Sequence, residues 1–115
     1  MPLLEKVRVE VFIPDLPDPV YARLLDELGD ELSYTFGGCS MVSAAGKYRS
    51  HSGAILPDQI TIIFTDIPFD WKIDQQAIQE YTTRLQTAVR RALPEEEAIL
   101  ICAFLVSHSG YIAAV

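Results

Sequence analysis

The fold is decided by residues 98–106, which read Ala-Ile-Leu-Ile-Cys-Ala-Phe-Leu-Val. A run of nine apolar residues has the length of a strand and is half of what a membrane span requires. Successive side chains of a strand point to opposite faces of its sheet, so an unbroken apolar run requires that both faces be shielded from water. In a chain of only 115 residues, we expect one of those faces to contact another subunit.

The composition is that of one globular domain, residues 1–115. Half of the residues are hydrophobic and 22% are charged, and a chain of this length buries roughly two-thirds of its unfolded surface. It therefore needs neither a metal nor a disulfide to fold. We expect no metal site and no cofactor, since no His, Cys or carboxylate stands at metal-ligand spacing from either histidine.

The charge balance argues against an anionic partner. Sixteen acidic residues outnumber nine basic ones, which gives a net charge of −7, whereas nucleic-acid-binding chains gather Lys and Arg on one face. We therefore expect neither nucleic acid nor a membrane surface as a partner. The N-terminus has no apolar signal segment, and Cys39 and Cys102 have no Cys-x-x-Cys spacing. These observations favour reduced thiols and a cytoplasmic location.

The first half of the chain predicts a strand and then a helix. Residues 6–13 alternate as a half-buried strand does. Its apolar face consists of Val7, Val9, Val11 and Ile13. A helix follows, with Asp18 as the N-cap and Pro19 at the first helical position, where a missing N–H has no cost. Gly29 is a candidate C-cap that would separate the last residues of this helix.

The second half predicts a hairpin, a helix and the apolar strand. Small residues dominate residues 37–46, the sequence Gln-Ile-Thr-Ile-Ile-Phe-Thr predicts a strand, and apolar residues at helical spacing follow it. We expect, in order, a strand over 36–48, a turn over 50–57, a strand over 59–65, a loop over 66–70 and a helix between Asp74 and Pro94.

The order strand, helix, strand, strand, helix, strand predicts two βαβ halves. Such halves form an α+β domain of ferredoxin-like topology, βαββαβ, with an antiparallel sheet and both helices on one face. In that topology the last strand lies at an edge and the first is central. An apolar edge strand is usually covered or paired. We therefore expect a homodimer or a larger assembly formed through the open sheet face or the last strand.

Arg8 and Glu10 are the first candidates for a functional site. They point to the same side of the first strand, on the helix-free face, and we expect them beside Thr61 or its neighbours. If a second subunit closes over them, they become partly desolvated groups in a cavity for a small polar ligand. The alternative is a solvent-facing sheet with a cross-strand ion pair.

Two histidines occur in repeated tetrapeptides. Ser-His-Ser-Gly stands at residues 50–53 and again at 107–110, and histidine titrates near neutrality. We include His51 and the nearby Tyr48 among the ligand-binding candidates. The pseudo-twofold symmetry of the predicted fold places His51 and His108 at opposite ends of one subunit. A repeated turn of small polar residues is the alternative interpretation.

Two resemblances to known families add expectations. The hairpin from Gly46 to Asp58, with Tyr48-Arg49 and a glycine turn, resembles one in an uncharacterised family of small bacterial proteins, which implies an α+β fold and no activity. The opening Met1-Pro2 resembles the tautomerase superfamily, in which such a proline is the general base. That resemblance implies a catalytic Pro2, although the first strand begins near Lys6 instead of at the proline.

Two function hypotheses follow from the sequence. The first is a homo-oligomeric ligand-binding or regulatory module without catalysis, with a small polar ligand near Arg8 and Glu10. The alternative is a tautomerase-like or monooxygenase-like enzyme with an active site between subunits. A cavity between sheets would favour ligand chemistry, whereas flush packing would favour a purely structural contact.

Overall fold

The architecture is the one that the element order predicts. A computed structural model describes residues 3–96 and 98–110. Its strands form one antiparallel sheet in the order β2-β3-β1-β4, which confirms the ferredoxin-like topology with β1 central and β4 at an edge. The elements are β1 Leu4–Pro14, α1 Pro19–Phe36, β2 Ser40–Arg49, β3 Ile55–Ile67, α2 Gln75–Ala92 and β4 Ile101–His108.

The core lies between one sheet face and the two helices. The alternate apolar residues of β1 are at most 1% exposed, as the sequence pattern predicts. They pack with the buried residues of both helices and with Ile63 and Ile67 of β3. The opposite side of the sheet, which we call the open face, carries no helix. It presents the other set of alternate side chains of each strand, which includes Arg8 and Glu10.

Helix α1 begins as predicted and ends later than predicted. Asp18 accepts a hydrogen bond from the Val20 N–H at 3.0 Å, and a proline stands in the first turn. Gly29 does not end the helix, so that prediction is wrong. It is buried in the helix interior, where an added Cβ would lie 3.0 Å from Cε of Met41. The C-cap is Gly37, at φ = +93°.

The β2–β3 hairpin is longer and its turn shorter than expected. The predicted first strand started at residue 36, but α1 occupies residues up to Phe36, and only Ser50 to Ala54 separate β2 from β3. The pairing of β3 with β1 ends at Ile60, opposite Pro14. Residues 46–58 therefore form a two-stranded extension, the hairpin arm. The described chain is correspondingly elongated, at 50 × 30 × 27 Å.

Strand β4 occupies part of the nine-residue apolar run. It begins at Ile101 instead of residue 98 and continues to His108, although the Leu100 carbonyl still accepts from the Phe12 N–H at 3.0 Å. Leu100, Phe104 and Leu105 are 56%, 36% and 40% exposed. The single chain therefore leaves much of this run in contact with water.

The second helix agrees with its prediction in place and extent. It begins after Asp74 and ends before Leu93, and Pro94 follows. Arg90 and Arg91 lie in its last turn, where cations interact favourably with the helix dipole. No helix in residues 3–96 and 98–110 is both long and apolar enough to cross a lipid bilayer.

Candidate functional site

A cluster of three charged side chains lies at the centre of the open face. Arg8 on β1 stands directly opposite Asp66 on β3. The Arg8 Nε lies 2.8 Å from Asp66 Oδ1, and the Lys6 Nζ lies 2.7 Å from Asp66 Oδ2. We call Lys6, Arg8 and Asp66 the charged cluster. With two cations and one carboxylate, it carries one net positive charge.

The surroundings of Asp66 favour its ionised form. Partial burial alone would raise the pKa of its carboxyl, but hydrogen bonds from Arg8 and Lys6, together with their charges, lower that pKa below its ordinary value. The Arg8 guanidinium also stands 4.7 Å from the centroid of the Phe64 ring, a cation–π distance. The Arg8 guanidinium is therefore held both by the Asp66 carboxylate and by the Phe64 ring.

Glu10 stands next to this cluster in a different environment. Its cross-strand neighbours are Phe64 on β3 and Cys102 on β4, and its side chain is half-buried. Within the described residues its carboxylate has no hydrogen-bond or ion-pair partner. A carboxylate between apolar neighbours can accept hydrogen bonds from a ligand or from another chain.

Apolar side chains surround these charges on all four strands. The strand registers place eight of them on the open face. They are Phe12, Val42, Ile60, Ile62, Phe64, Cys102, Phe104 and Val106. Each residue on one sheet face occupies about 4.8 Å by about 6.6 Å, so these eight side chains cover about 250 Å² and, with Glu10 and the charged cluster, about 380 Å². Exposed apolar patches of that size mark interaction surfaces in monomeric proteins.

The predicted ligand-binding residues do not gather at one place. Arg8 and Glu10 share the open face as expected. Tyr48 and His51 lie on the hairpin arm, and Tyr48 is paired with Leu56, eight residues along β3 from the partner of Glu10. At strand rise this separation is about 27 Å, so one subunit does not bring the two pairs together.

One further expectation about the site needs correction, and another falls on a residue that the structure does not describe. Thr61 is not beside Arg8 and Glu10, because β3 is longer than predicted and Thr61 stands opposite Ile13 instead. Pro2 lies outside the described residues.

The repeated tetrapeptides adopt different structures. Residues 50–53 form the hairpin turn, in which the Gly53 N–H donates to the Ser50 carbonyl at 2.9 Å. Ser107 and His108 belong to β4, and His108 Nδ1 accepts from the Gly110 N–H at 3.0 Å. The two glycines share positive φ angles, +87° and +90°. The two histidines lie at opposite ends of the subunit, as the predicted topology requires.

Sequence reasoning missed Lys6 and Asp66. Asp66 was expected in a loop because Asp is rare in strands, yet β3 extends to Ile67. The available signal was the alternation Thr65-Asp66-Ile67, which continues the period of the strand. Within residues 3–96 and 98–110 no group of three or more His, Cys, Asp or Glu side chains is placed to hold a metal ion.

Comparisons with known proteins identify the fold. No family model and no curated protein sequence matches the chain. CutA from Synechococcus elongatus is similar with a TM-score of 0.56 at 13% identity, over 93% of this chain and 85% of CutA. A Bacillus cereus protein related to NIF3 is similar at 0.55 and 18% identity, over 92% of this chain and 27% of that protein.

A phage SAM lyase, solved in complex with S-methyl-5'-thioadenosine, is similar at a TM-score of 0.51 and 12% identity, over 93% of both chains. Identities this low establish a shared fold and nothing about activity. They support a small ferredoxin-like protein and give no support to the tautomerase resemblance.

Proposed function

We propose that the protein is a homo-oligomeric binding or regulatory module without catalysis. In this proposal the open faces of its copies pack together and enclose the charged cluster and Glu10. The observation that carries the proposal is the apolar open face, which has charged side chains of opposite sign at its centre. Such a face is the kind of surface that a second copy buries.

The charges support a second copy as the occupant. Glu10 supplies one negative charge without a hydrogen-bond or ion-pair partner among the described residues, next to the cations Lys6 and Arg8 of the charged cluster. In a two-fold interface, if one residue of the first copy contacts a second residue of the other copy, the reverse contact also forms. An axis between Arg8 and Glu10 therefore sets the Glu10 of each copy against the cluster of the other.

The size of the patch indicates that further contacts take part. Two such faces of about 380 Å² bury about 760 Å², well below the roughly 1,200 Å² of the smallest stable interfaces. The exposed apolar residues Leu100, next to β4, and Tyr48, on the hairpin arm, provide additional area. The proposal therefore leaves the number of copies open.

Glu10 provides the ligand-binding part of the proposal. Arg8 is already engaged with Asp66, so a small polar ligand at the junction would offer hydrogen-bond donors to the Glu10 carboxylate. A crystal structure of the assembly tests this point. A water-filled cavity beside Glu10 supports a ligand site, whereas faces packed flush over Glu10 contradict it.

Light scattering at micromolar concentration tests the assembly. We expect a mass that is a multiple of 12.8 kDa, and we expect Phe104→Asp to lower it to that of one chain. Phe104 stands opposite Arg8, so the new carboxylate gains a cation in the single chain, and the variant remains foldable. In the assembly it places a charge within an apolar contact.

The matched control is Tyr34→Asp. Tyr34 lies on α1, on the helix side of the molecule, and is 91% exposed. This variant replaces an exposed aromatic with the same charge away from the open face and retains the wild-type mass. A wild-type protein of 12.8 kDa at micromolar concentration, or equal masses for the two variants, would overturn the proposal.

A further inference from the structure

A groove of about 340 Å³ runs between the two helices, on the side of the molecule opposite to the open face. Four residues of each helix line it, at the same spacing of i, i+3, i+4 and i+7. They are Leu24, Glu27, Leu28 and Glu31 of α1 and Tyr81, Arg84, Leu85 and Ala88 of α2. Small-molecule sites have volumes of about 300–1,000 Å³, so the groove is large enough for a small ligand.

The groove holds opposite charges that do not pair. The two helices are antiparallel, because the strands β1 and β3 that precede them are antiparallel. Glu31 of α1 and Arg84 of α2 both lie close enough to Tyr81 to affect its ionisation. Glu31 accepts a hydrogen bond from Thr35 at 3.2 Å. Among the described residues no ion pair joins Arg84 to Glu27 or Glu31.

Tyr81 supplies an independent observation. It lines the groove and is only 6% exposed, yet its buried hydroxyl has no hydrogen-bond partner among the described residues. Burial, and then the charge of Glu31, raise the pKa of Tyr81 to about 12, although Arg84 acts in the opposite direction. The hydroxyl therefore stays protonated at neutral pH and remains a buried donor without an acceptor. A buried donor without an acceptor is unfavourable, and a ligand can supply the acceptor.

We propose that the interhelical groove binds a free α-amino acid with an aliphatic side chain. Its carboxylate is held by the Arg84 guanidinium and the Tyr81 hydroxyl, which becomes accessible on binding. Its ammonium group is held by the Glu27 and Glu31 carboxylates. The aliphatic side chain lies on Leu24, Leu28, Leu85 and Ala88.

Both charges of the ligand are needed to satisfy the groove. An aliphatic amine leaves Arg84 and the Tyr81 hydroxyl without an anionic partner. An aliphatic carboxylic acid brings a second negative charge towards Glu27 and Glu31. A zwitterion with a short apolar side chain complements all three parts of the lining, the cation, the carboxylates and the leucines.

Isothermal titration calorimetry with L-leucine tests the proposal through analogues that each lack one group. Glycine lacks the side chain, leucine methyl ester lacks the free carboxylate, and 4-methylpentanoic acid lacks the ammonium group. We expect L-leucine to bind and each analogue to bind at least about tenfold more weakly. For the ester and the acid this is the size of one lost charge-assisted hydrogen bond, and for glycine it is the loss of the buried apolar side chain. No binding of L-leucine at millimolar concentration overturns the proposal, as does equal affinity for all four compounds.

Variants locate the site. Arg84→Gln, Glu31→Gln and Tyr81→Phe should each weaken L-leucine binding by about tenfold. Asp26→Asn on α1 and Arg91→Gln on α2 are matched controls, because both residues are exposed and neither lines the groove. Unchanged affinity in all three groove variants would show that the amino acid binds elsewhere, and would overturn the assignment.

The groove is formed within one chain, so its occupancy does not depend on assembly. Binding of L-leucine to Phe104→Asp, the variant expected to be monomeric, should match that to the wild type. A protein that is oligomeric but does not bind L-leucine contradicts this inference alone. A monomeric protein that binds L-leucine contradicts the proposed assembly alone.

Discussion

Arg8 and Glu10 are two residues apart on β1, and their surroundings differ because of the strands on either side. Alternation along β1 was sufficient to predict that both share the helix-free face. It was not sufficient to predict that Arg8 pairs with Asp66 while Glu10 meets Phe64 and Cys102. Those partners depend on the register of three strands, which no local pattern specifies. The candidate residues were therefore predictable, and their contacts were not.

Tyr81→Phe removes the unpartnered hydroxyl and keeps the ring, which packs edge-on against Phe36 with centroids 5.0 Å apart. At neutral pH and without ligand, we expect this variant to be more stable by about 1 kcal/mol, because a buried donor without an acceptor is lost. Chemical denaturation measures the difference. If Tyr81→Phe is instead less stable than the wild type by about 1 kcal/mol, the hydroxyl is hydrogen-bonded in solution.

The same variant changes the response to alkaline pH. The pKa of Tyr81 is raised from 10.0 to about 12, so its ionisation does not affect stability below pH 10.0 and lowers stability as the pH rises towards 12. Tyr21, whose hydroxyl donates to Glu96 at 2.5 Å, also has its pKa raised to about 12. Tyr81→Phe should therefore reduce, and not abolish, the loss of stability in this range.

At the scale of elements, the starts of the helices were easier to predict than the end of α1. Asp18 with Pro19 marks the start of α1 through local hydrogen bonding and a fixed φ angle, and the structure agrees. Glycine is ambiguous, because the same residue type ends helices and permits close packing. Gly29 serves close approach of α1 to Met41, and Gly37 ends the helix. The sequence alone does not show which role applies.

Alanine substitutions at the two glycines should have opposite effects. Gly29→Ala gains about 1 kcal/mol of helix propensity, and its Cβ displaces only the flexible end of Met41, 3.0 Å away. We expect unchanged or slightly increased stability. Gly37→Ala places a side chain at φ = +93° and should lower stability by about 1 kcal/mol. Thermal denaturation of both variants checks the pair, and equal effects would contradict the assignment of the C-cap.

At the scale of the molecule, the order of elements predicted the topology, because two βαβ halves have few arrangements that bury both helices on one sheet. The hairpin was predicted, but its second strand was expected to begin at residue 59, since Pro57 and Asp58 suggest a turn. A two-stranded hairpin is marginally stable alone in water. In the proposed assembly, the arm, the open face and the β4 edge are therefore the parts that depend most on other copies.

Assembly through these surfaces predicts that stability depends on protein concentration. Association stabilises the folded chain by mass action, so the unfolding midpoint should rise over roughly a hundredfold increase in wild-type concentration. Phe104→Asp should show a constant midpoint over the same range. Scanning calorimetry measures both. A wild-type midpoint that does not change with concentration would indicate a stable single chain.

The two lateral margins of the sheet differ in chemistry. Near β4 lie the exposed Leu100 and Leu105, whereas β2 carries the exposed cations Lys47 and Arg49 towards the tip of the hairpin arm. If both edges of the sheet could pair with strands of other copies, each copy would extend the sheet of the next and a fibril would form. Positive charge on only one margin disfavours that continuous growth. In the proposed assembly, the chain thereby keeps an apolar β4 margin for contact with other copies and forms an oligomer of limited size.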